Sequence, residues 1–306
     1  MINYFLKFHN DLKVLYGQFL SNRNLFTFFK IQKILFISFL KKKYWINKTY
    51  KNNNLSENEL KKYKNSQTLF VFGSGQSINE IQDSEFEKIN KEDSISFNNS
   101  IKLKKVYFTF HLERGGTTRP GAIFFVKEYC NYWVKILFEN KFLKKTILLI
   151  ADGYTSDFAN EIIGSKIFPK SFKFFLFFTN RTKTKTPTLS FKNGIVHNAG
   201  TLCDAINFGV IMKYKKIVLV GVDLYDSSHF FCPPGKTYKW DEHKKEHIFA
   251  DKTSKGVKST DLHNTVKLGI VDTMKTWREF LEKKGISLEV YNRKSLLSTE
   301  LKIFRF

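Results

Sequence analysis

Acidic side chains are in short supply. The 306-residue sequence sets 28 Asp and Glu against 51 Lys and Arg, a formal net charge of +23. Such a balance excludes an acidic surface and attracts nucleic acid, anionic lipid headgroups or an acidic substrate. The Lys-, Asn-, Ile- and Phe-rich composition that AT-rich genomes produce gives the same balance with no partner at all. Cysteine is nearly absent: Cys130, Cys203 and Cys232 form no CxxC pair and no zinc spacing. A disulfide scaffold and a structural zinc site are thereby excluded, and a reduced, cytoplasmic compartment is the simplest reading. No uncharged apolar run reaches the ~20 residues that span a bilayer, and no repeat is visible. The 42% of hydrophobic residues suffices for a buried core and excludes a disordered chain.

Residues 1–66 differ in character from the rest. Leu25 to Leu40, LFTFFKIQKILFISFL, is apolar apart from Lys30 and Lys33 and is followed by Lys41, Lys42, Lys43, Tyr44 and Trp45. That pattern predicts a helix lying in a membrane interface, with cations and amphipathic rings at anionic headgroups. A helical hairpin packed on the main domain or on a second subunit fits the same residues. No small-residue cleavage site follows, which argues against a secretory signal. Residues 47–67 are polar and read as a linker.

From residue 67 onward short apolar runs alternate with helical patterns. TLFVFG (68–73), SISFN (94–98), VYFTF (106–110), TILLIA (146–151), KIVLVGVD (216–223) and ISLEVYN (286–292) read as buried strands. Residues 200–212 and 265–283 carry helical periodicity. The alternation predicts an α/β fold: a Rossmann-like, doubly wound, mostly parallel sheet forming one nucleotide-binding domain over residues 67–306, with an N-terminal helical extension.

Candidate site residues cluster where strands end. Gly73, Ser74, Gly75, Gln76 and Ser77 follow the first strand, where glycines bring backbone N–H groups near a phosphate at a helix start; a plain strand-to-helix turn uses the same residues. Asn98 and Asn99 close the second strand, able to bind phosphate, ribose or base, or simply to make a turn. Asn198, Ala199 and Gly200 open a helix, and Gly221-Val222-Asp223 ends a strand with a carboxylate that binds hydroxyls or caps a loop. Residues 226–262 lose the core pattern and read as a lid. His243 and His247 have the spacing of a zinc pair, but no third ligand and no HExxH glutamate accompanies them, so no metal is expected. His263, after the lid, is of the residue type whose unperturbed pKa suits a general base, or it caps a helix.

In this order the segments resemble the Campylobacter-type sialyltransferases, glycosyltransferase family 42, over residues 68–298. The resemblance implies CMP contact by Ser74 and Gly75 in the Gly73–Ser77 loop, and phosphate or ribose binding by Asn98. It places Asn198, Ala199 and Gly200 beside the nucleotide and sugar, and matches Gly221, Asp223 and Tyr225 to a strand-end Gly-Ile-Asp-Phe-Tyr whose tyrosine stabilises the leaving phosphate. His263 is the implied general base, His229 or Phe230 falls nearest a second phosphate-binding tyrosine, and Thr109 falls where another asparagine stands. Gln76 replaces a loop proline, and Asn198-Ala199 replaces Thr-Ser.

The implied activity is inverting transfer of a sialic-acid-like or Kdo-like sugar from a CMP-sugar to a lipooligosaccharide, capsule or similar surface glycan. It requires no essential metal, and the implied setting is the inner face of the cytoplasmic membrane. Homo-oligomers occur in the family. Two other classes compete. A pterin diphosphokinase-like phosphotransferase needs acidic magnesium ligands; Asp152 and Asp223 could serve, but no pair of close acidic residues marks a magnesium site. A nucleic-acid-binding protein needs exposed aromatics among Lys and Arg, whereas the aromatics here fall inside apolar runs.

Overall fold

The computed structural model describes residues 15, 25–115, 126–181, 184–225, 228–241, 246–251 and 264–306. Nine parallel strands form one sheet: β1 (Thr68–Phe72), β2 (Asp93–Phe97), β3 (Phe110–Glu113), β4 (Ile147–Asp152), β5 (Phe174–Asn180), β6 (Ile195–Val196), β7 (Lys216–Val220), β10 (Ser287–Val290) and β11 (Lys302–Ile303). Their spatial order is β11-β10-β7-β1-β2-β3-β4-β5-β6. A separate antiparallel hairpin joins β8 (Lys236–Asp241) to β9 (Glu246–Asp251) within the expected lid. The chain builds the sheet outward from β1 to β6, returns to the other side of β1 as β7, and continues outward. The order therefore reverses between β1 and β7, the place where open α/β sheets bind ligands at their carboxyl edge. The α/β, doubly wound expectation holds.

Burial on both faces explains the near-continuous apolar strands. Successive side chains point to opposite faces, so Leu69 and Val71 enter one core while Phe70 and Phe72 enter the other. Helices α2 (Glu57–Lys61), α6 (Thr201–Ile211) and α8 (Ile270–Glu282) contribute to the first core; α3 (Asp83–Ile89), α4 (Val126–Glu139) and α5 (Asp157–Gly164) contribute to the second. The helical pattern over 265–283 divides into α7 (Asn264–Lys267) and α8, because Gly269 takes the left-handed conformation at φ +79°.

Helix α1 (Leu25–Lys48) lies along α5. A Cβ on Gly164 would sit 2.9 Å from the Ser38 carbonyl oxygen, so the glycine sets how closely the two helices approach. Lys42 is buried and pairs with Asp152 at 2.5 Å. No described helix is long and apolar enough to cross a membrane.

The segment read as a linker is packed instead. Tyr50, Leu55 and Leu60 are buried, the Leu55 N–H donates to the Phe174 carbonyl at 2.8 Å, and that of Phe174 donates to the Asn53 carbonyl at 2.8 Å. Helix α2 starts from a capping box in which Ser56 and Glu59 satisfy each other's backbone N–H groups. The VYFTF strand is displaced: pairing with β2 begins at Phe110, while Val106 and Phe108 pack into the core ahead of it. All three cysteines are buried, and none forms a disulfide.

Replacing Gly164 by Val is expected to lower the unfolding free energy by about 1–3 kcal/mol, the usual cost of overpacking, read from a urea unfolding curve.

Candidate functional site

The loops after β1 and β7 touch at the sheet reversal. The Gly73 N–H donates to the Val220 carbonyl and the Gly75 N–H to the Gly221 carbonyl, both at 2.8 Å. A side chain on Gly73 would meet the Gly221 carbonyl oxygen, and one on Gly221, at φ +63°, would lie 2.6 Å from Ile78. Asp223 is buried between the loops. Its carboxylate accepts the Ser77 N–H at 2.9 Å, the Ser77 hydroxyl, and the Asn292 amide at 3.3 Å. A Cβ on Gly75 would fall on that carboxylate, so the glycine permits the close approach. Leu224, directly after Asp223, takes a left-handed φ of +65°, local strain of the kind that concentrates at binding sites.

The crevice between the loops holds 160 Å³ and is lined by Gly73, Ser74, Asn98, Thr201, His229 and Thr265 among others. Asn98, at φ +51°, adopts the left-handed turn that asparagine tolerates better than most residues. Helix α6 starts at the crevice with Thr201 and Leu202, directing its N-terminal dipole there.

His229 closes one side. Its Nδ1 lies 2.8 Å from the Ser74 hydroxyl and its Nε2 lies 3.4 Å from the Asn99 amide. The Phe230 N–H donates to the Ser74 carbonyl at 2.9 Å. The imidazole stacks on Phe231 at 5.1 Å, and Phe231 meets the edge of Tyr238 from the β8–β9 hairpin. Lys102 anchors this aromatic group, with its ammonium 3.8 Å from the Tyr238 ring and 4.4 Å from the Phe231 ring. Burial pushes the Lys102 pKa down to about 8.

A second polar group lies outside the crevice lining, one helical turn along α6 from Thr201. Buried Asp204 lies 3.0 Å from His197 Nδ1 and accepts from Arg114 at 3.1 Å. Burial pushes the Asp204 carboxyl up to about 7, against the opposing pull of Arg114 and Arg181. Nearby on β3, His111 Nδ1 meets the Ser96 hydroxyl at 2.8 Å, and the buried His111 Nε2 and Glu113 Oε2 have no hydrogen-bond partner among the described residues. Burial likewise raises Asp157 to about 7, although the Phe158 N–H supports its charge at 2.7 Å.

Of the residues expected from sequence, Gly73, Ser74, Gly75, Asn98, Gly221, Asp223 and His229 line the crevice. Ser77 lies behind it, bound to Asp223. Ala199 is buried and Gly200 begins α6 at φ +126°, while the Asn198 amide donates to the Thr184 carbonyl at 2.7 Å. Tyr225 follows the lining residue Leu224 and is not itself in the lining. Thr109 is not brought to the site. It precedes β3 at the amino edge of the sheet, where its hydroxyl bonds the Asp93 carboxylate and the Ser94 N–H at 3.2 Å each. His263 and His243 lie outside the described residues, as does the side chain of His247; among the described residues no group of three His, Cys, Asp or Glu could hold a metal.

Sequence reasoning missed Thr201, Ser228 and Thr265 in the lining, and the His197–Asp204 pair. The seven-residue spacing of that pair, from the end of a strand into the next helix, was its one available signal.

No protein-family model matches the chain, and no curated protein sequence matches it. Among solved structures it resembles the MAf glycosyltransferase from Magnetospirillum magneticum AMB-1, with 13% identity and a TM-score of 0.41 over 74% of this chain. The match spans about a third (32%) of that protein's length.

Asp223→Ala is expected to leave the Ser77 N–H buried without a partner, costing about 1–3 kcal/mol in thermal or urea unfolding. Asp157 and Asp204 have folded pKa values above their unfolded ones, so their stabilising contribution is complete below about pH 4 and is lost as pH rises through about 7. Unfolding curves from pH 4 to 7 should show wild type losing stability over this window and Asp157→Asn losing less.

Proposed function

We propose that the chain is an inverting glycosyltransferase that moves an acidic sugar, of sialic-acid or Kdo type, from a CMP-sugar to a surface glycan. The observation that carries this reading is the crevice at the β1/β7 reversal. It offers hydroxyls from Ser74, Thr201, Ser228 and Thr265, amides from Asn98 and Asn99, an imidazole and a helix N-terminus. Its carboxylate, Asp223, is already engaged by Ser77 and Asn292. This lining suits the single phosphate of a CMP leaving group, which neutral donors and a dipole stabilise.

In the proposed reaction an acceptor hydroxyl oxygen bonds to the anomeric carbon while the bond from that carbon to the phosphate oxygen breaks. The electron pair departs with CMP, and the acceptor proton passes to a base. His229, held by Ser74, donates toward the departing phosphate, with Tyr225 as the second donor the resemblance implies. His263 is the base by resemblance. Within the described residues His197 has the arrangement such a base needs, since a buried carboxylate on Nδ1 fixes its tautomer and orientation.

The competing phosphotransferase reading needs Asp152 and Asp223 together. The fold separates them: Asp152 ends β4, paired with Lys42, while Asp223 follows β7, with β1, β2 and β3 between the two strands.

The crevice volume falls short of the ~300–1,000 Å³ of drug-sized sites, so it suits the phosphate end of a CMP-sugar rather than the whole molecule. Calorimetry with CMP, UDP, GDP and ATP, with and without magnesium, tests the donor. Selective, magnesium-independent CMP binding that Asn98→Ala weakens about tenfold, the loss of one charge-assisted hydrogen bond, supports the reading. Preference for ATP or GDP with magnesium, or no nucleotide binding, contradicts it. Replacing the true base, His197 or His263, by Ala should abolish turnover and leave CMP affinity unchanged.

A further inference from the structure

Helix α1 has two apolar faces. One, with Ile31, Leu35 and the buried stem of Lys42, is 2–3% exposed and docks on the fold beside Tyr154 and α5. The opposite face carries Phe29, Phe36, Ile37, Leu40 and Tyr44, all 41–65% exposed. At 3.6 residues per turn these five fall within an arc of about 100°. Lys33 lies on that arc, Lys30, Lys41 and Lys48 flank one side, and Lys43 flanks the other. The helix contains no Asp or Glu. A surface helix usually turns its polar side to water; this one presents rings and aliphatic chains edged by ammonium groups.

The helix also has a fixed direction. Near its start, the Gln32 carbonyl accepts the Tyr154 hydroxyl at 3.2 Å, just beyond the carboxyl end of β4, and Phe39 meets the Tyr154 ring edge-on at 5.8 Å. Just past its end, Tyr50 packs against Phe174 at the amino end of β5 and donates its hydroxyl to the Phe168 carbonyl at 3.0 Å. Helix α1 therefore runs antiparallel to the strands, and its first turns stand toward the sheet edge that holds the crevice.

We propose that the outer face of α1 docks on an anionic membrane, lying in the headgroup layer with its rings in the acyl boundary and its lysines on lipid phosphates. Opposite charge selects this occupant over a second copy of a chain whose own net charge is +23, since like-charged faces repel. The docking keeps the whole fold, crevice included, at the bilayer surface, which suits a lipid-linked acceptor of the transfer. That last step rests on the glycosyltransferase reading; the membrane contact does not.

Vesicle flotation of the full-length protein tests the surface, using phosphatidylcholine alone and with phosphatidylglycerol added. Wild type should float with the anionic vesicles and release at high salt. The double variant Phe36→Ser/Leu40→Ser should lose at least tenfold in vesicle affinity, with its melting temperature and CMP binding unchanged. No flotation of wild type, or equal flotation of the variant, overturns the proposal. So does a double variant whose only change in light scattering is from dimer to monomer, which identifies a second copy as the occupant. For the acceptor, turnover of a vesicle-anchored glycan should fall in the variant while turnover of the same glycan free in solution is preserved. Absence of any turnover in wild type defeats the transferase reading and leaves the flotation result standing.

Discussion

One buried carboxylate holds the site together. Asp223 stands after the strand on one side of the sheet reversal and takes the N–H and hydroxyl of Ser77 from the other side. A reversal of strand order leaves two loops over a gap, joined at its base by the Gly73 and Gly75 N–H groups on the Val220 and Gly221 carbonyls. The Asp223–Ser77 tie adds a side-chain link beyond that ladder, and it imposes its own conditions. Gly75 lacks a side chain because the carboxylate occupies that space, and Gly73 and Gly221 lack them because the two backbones meet. The crevice exists because these loops are tied at their base and open at their mouth.

Charge is distributed around the crevice according to solvent access. The mouth is lined by neutral donors, which respond to a phosphate without first losing a carboxylate's hydration. Ionisable groups lie one helical turn away, where Asp204 joins His197 to Arg114. Burial there raises carboxyl pKa values, and the arginine opposes it, so the cluster costs stability at neutral pH. Such a cost persists where buried polar groups serve binding or proton transfer. On the far side, Lys102 and its rings join the β8–β9 hairpin to His229, whose Nδ1 reaches the Ser74 hydroxyl.

Much of this was legible because both faces of the sheet are covered. TLFVF and KIVLV are uninterrupted apolar runs that only a doubly buried strand requires, and the glycines after each mark the crevice. The FFLFFTN strand was overlooked because a run of phenylalanines has no period to separate strand from helix. The Lys- and Asn-rich segment after α1 read as linker because Tyr50, Leu55 and Leu60 are too widely spaced to form a pattern, yet each is an anchor. Thr109 was misplaced by matching order along the chain: pairing begins at Phe110, which leaves Thr109 at the opposite edge of the sheet. Type and position left open whether Asp223 binds ligand or ties a loop; its bonds to Ser77 and Asn292 show that it ties the loops, and it also lines the crevice.

The most direct measurement is the position of phosphate in a crystal of the protein grown with CMP. The account predicts a phosphate between the Gly73–Gly75 loop and Asn98, within hydrogen-bond reach of His229 and the first turn of α6. Phosphate held instead in the separate pocket formed by Lys88, Tyr291, Arg293 and Arg305, with the β1/β7 crevice unchanged, would contradict it.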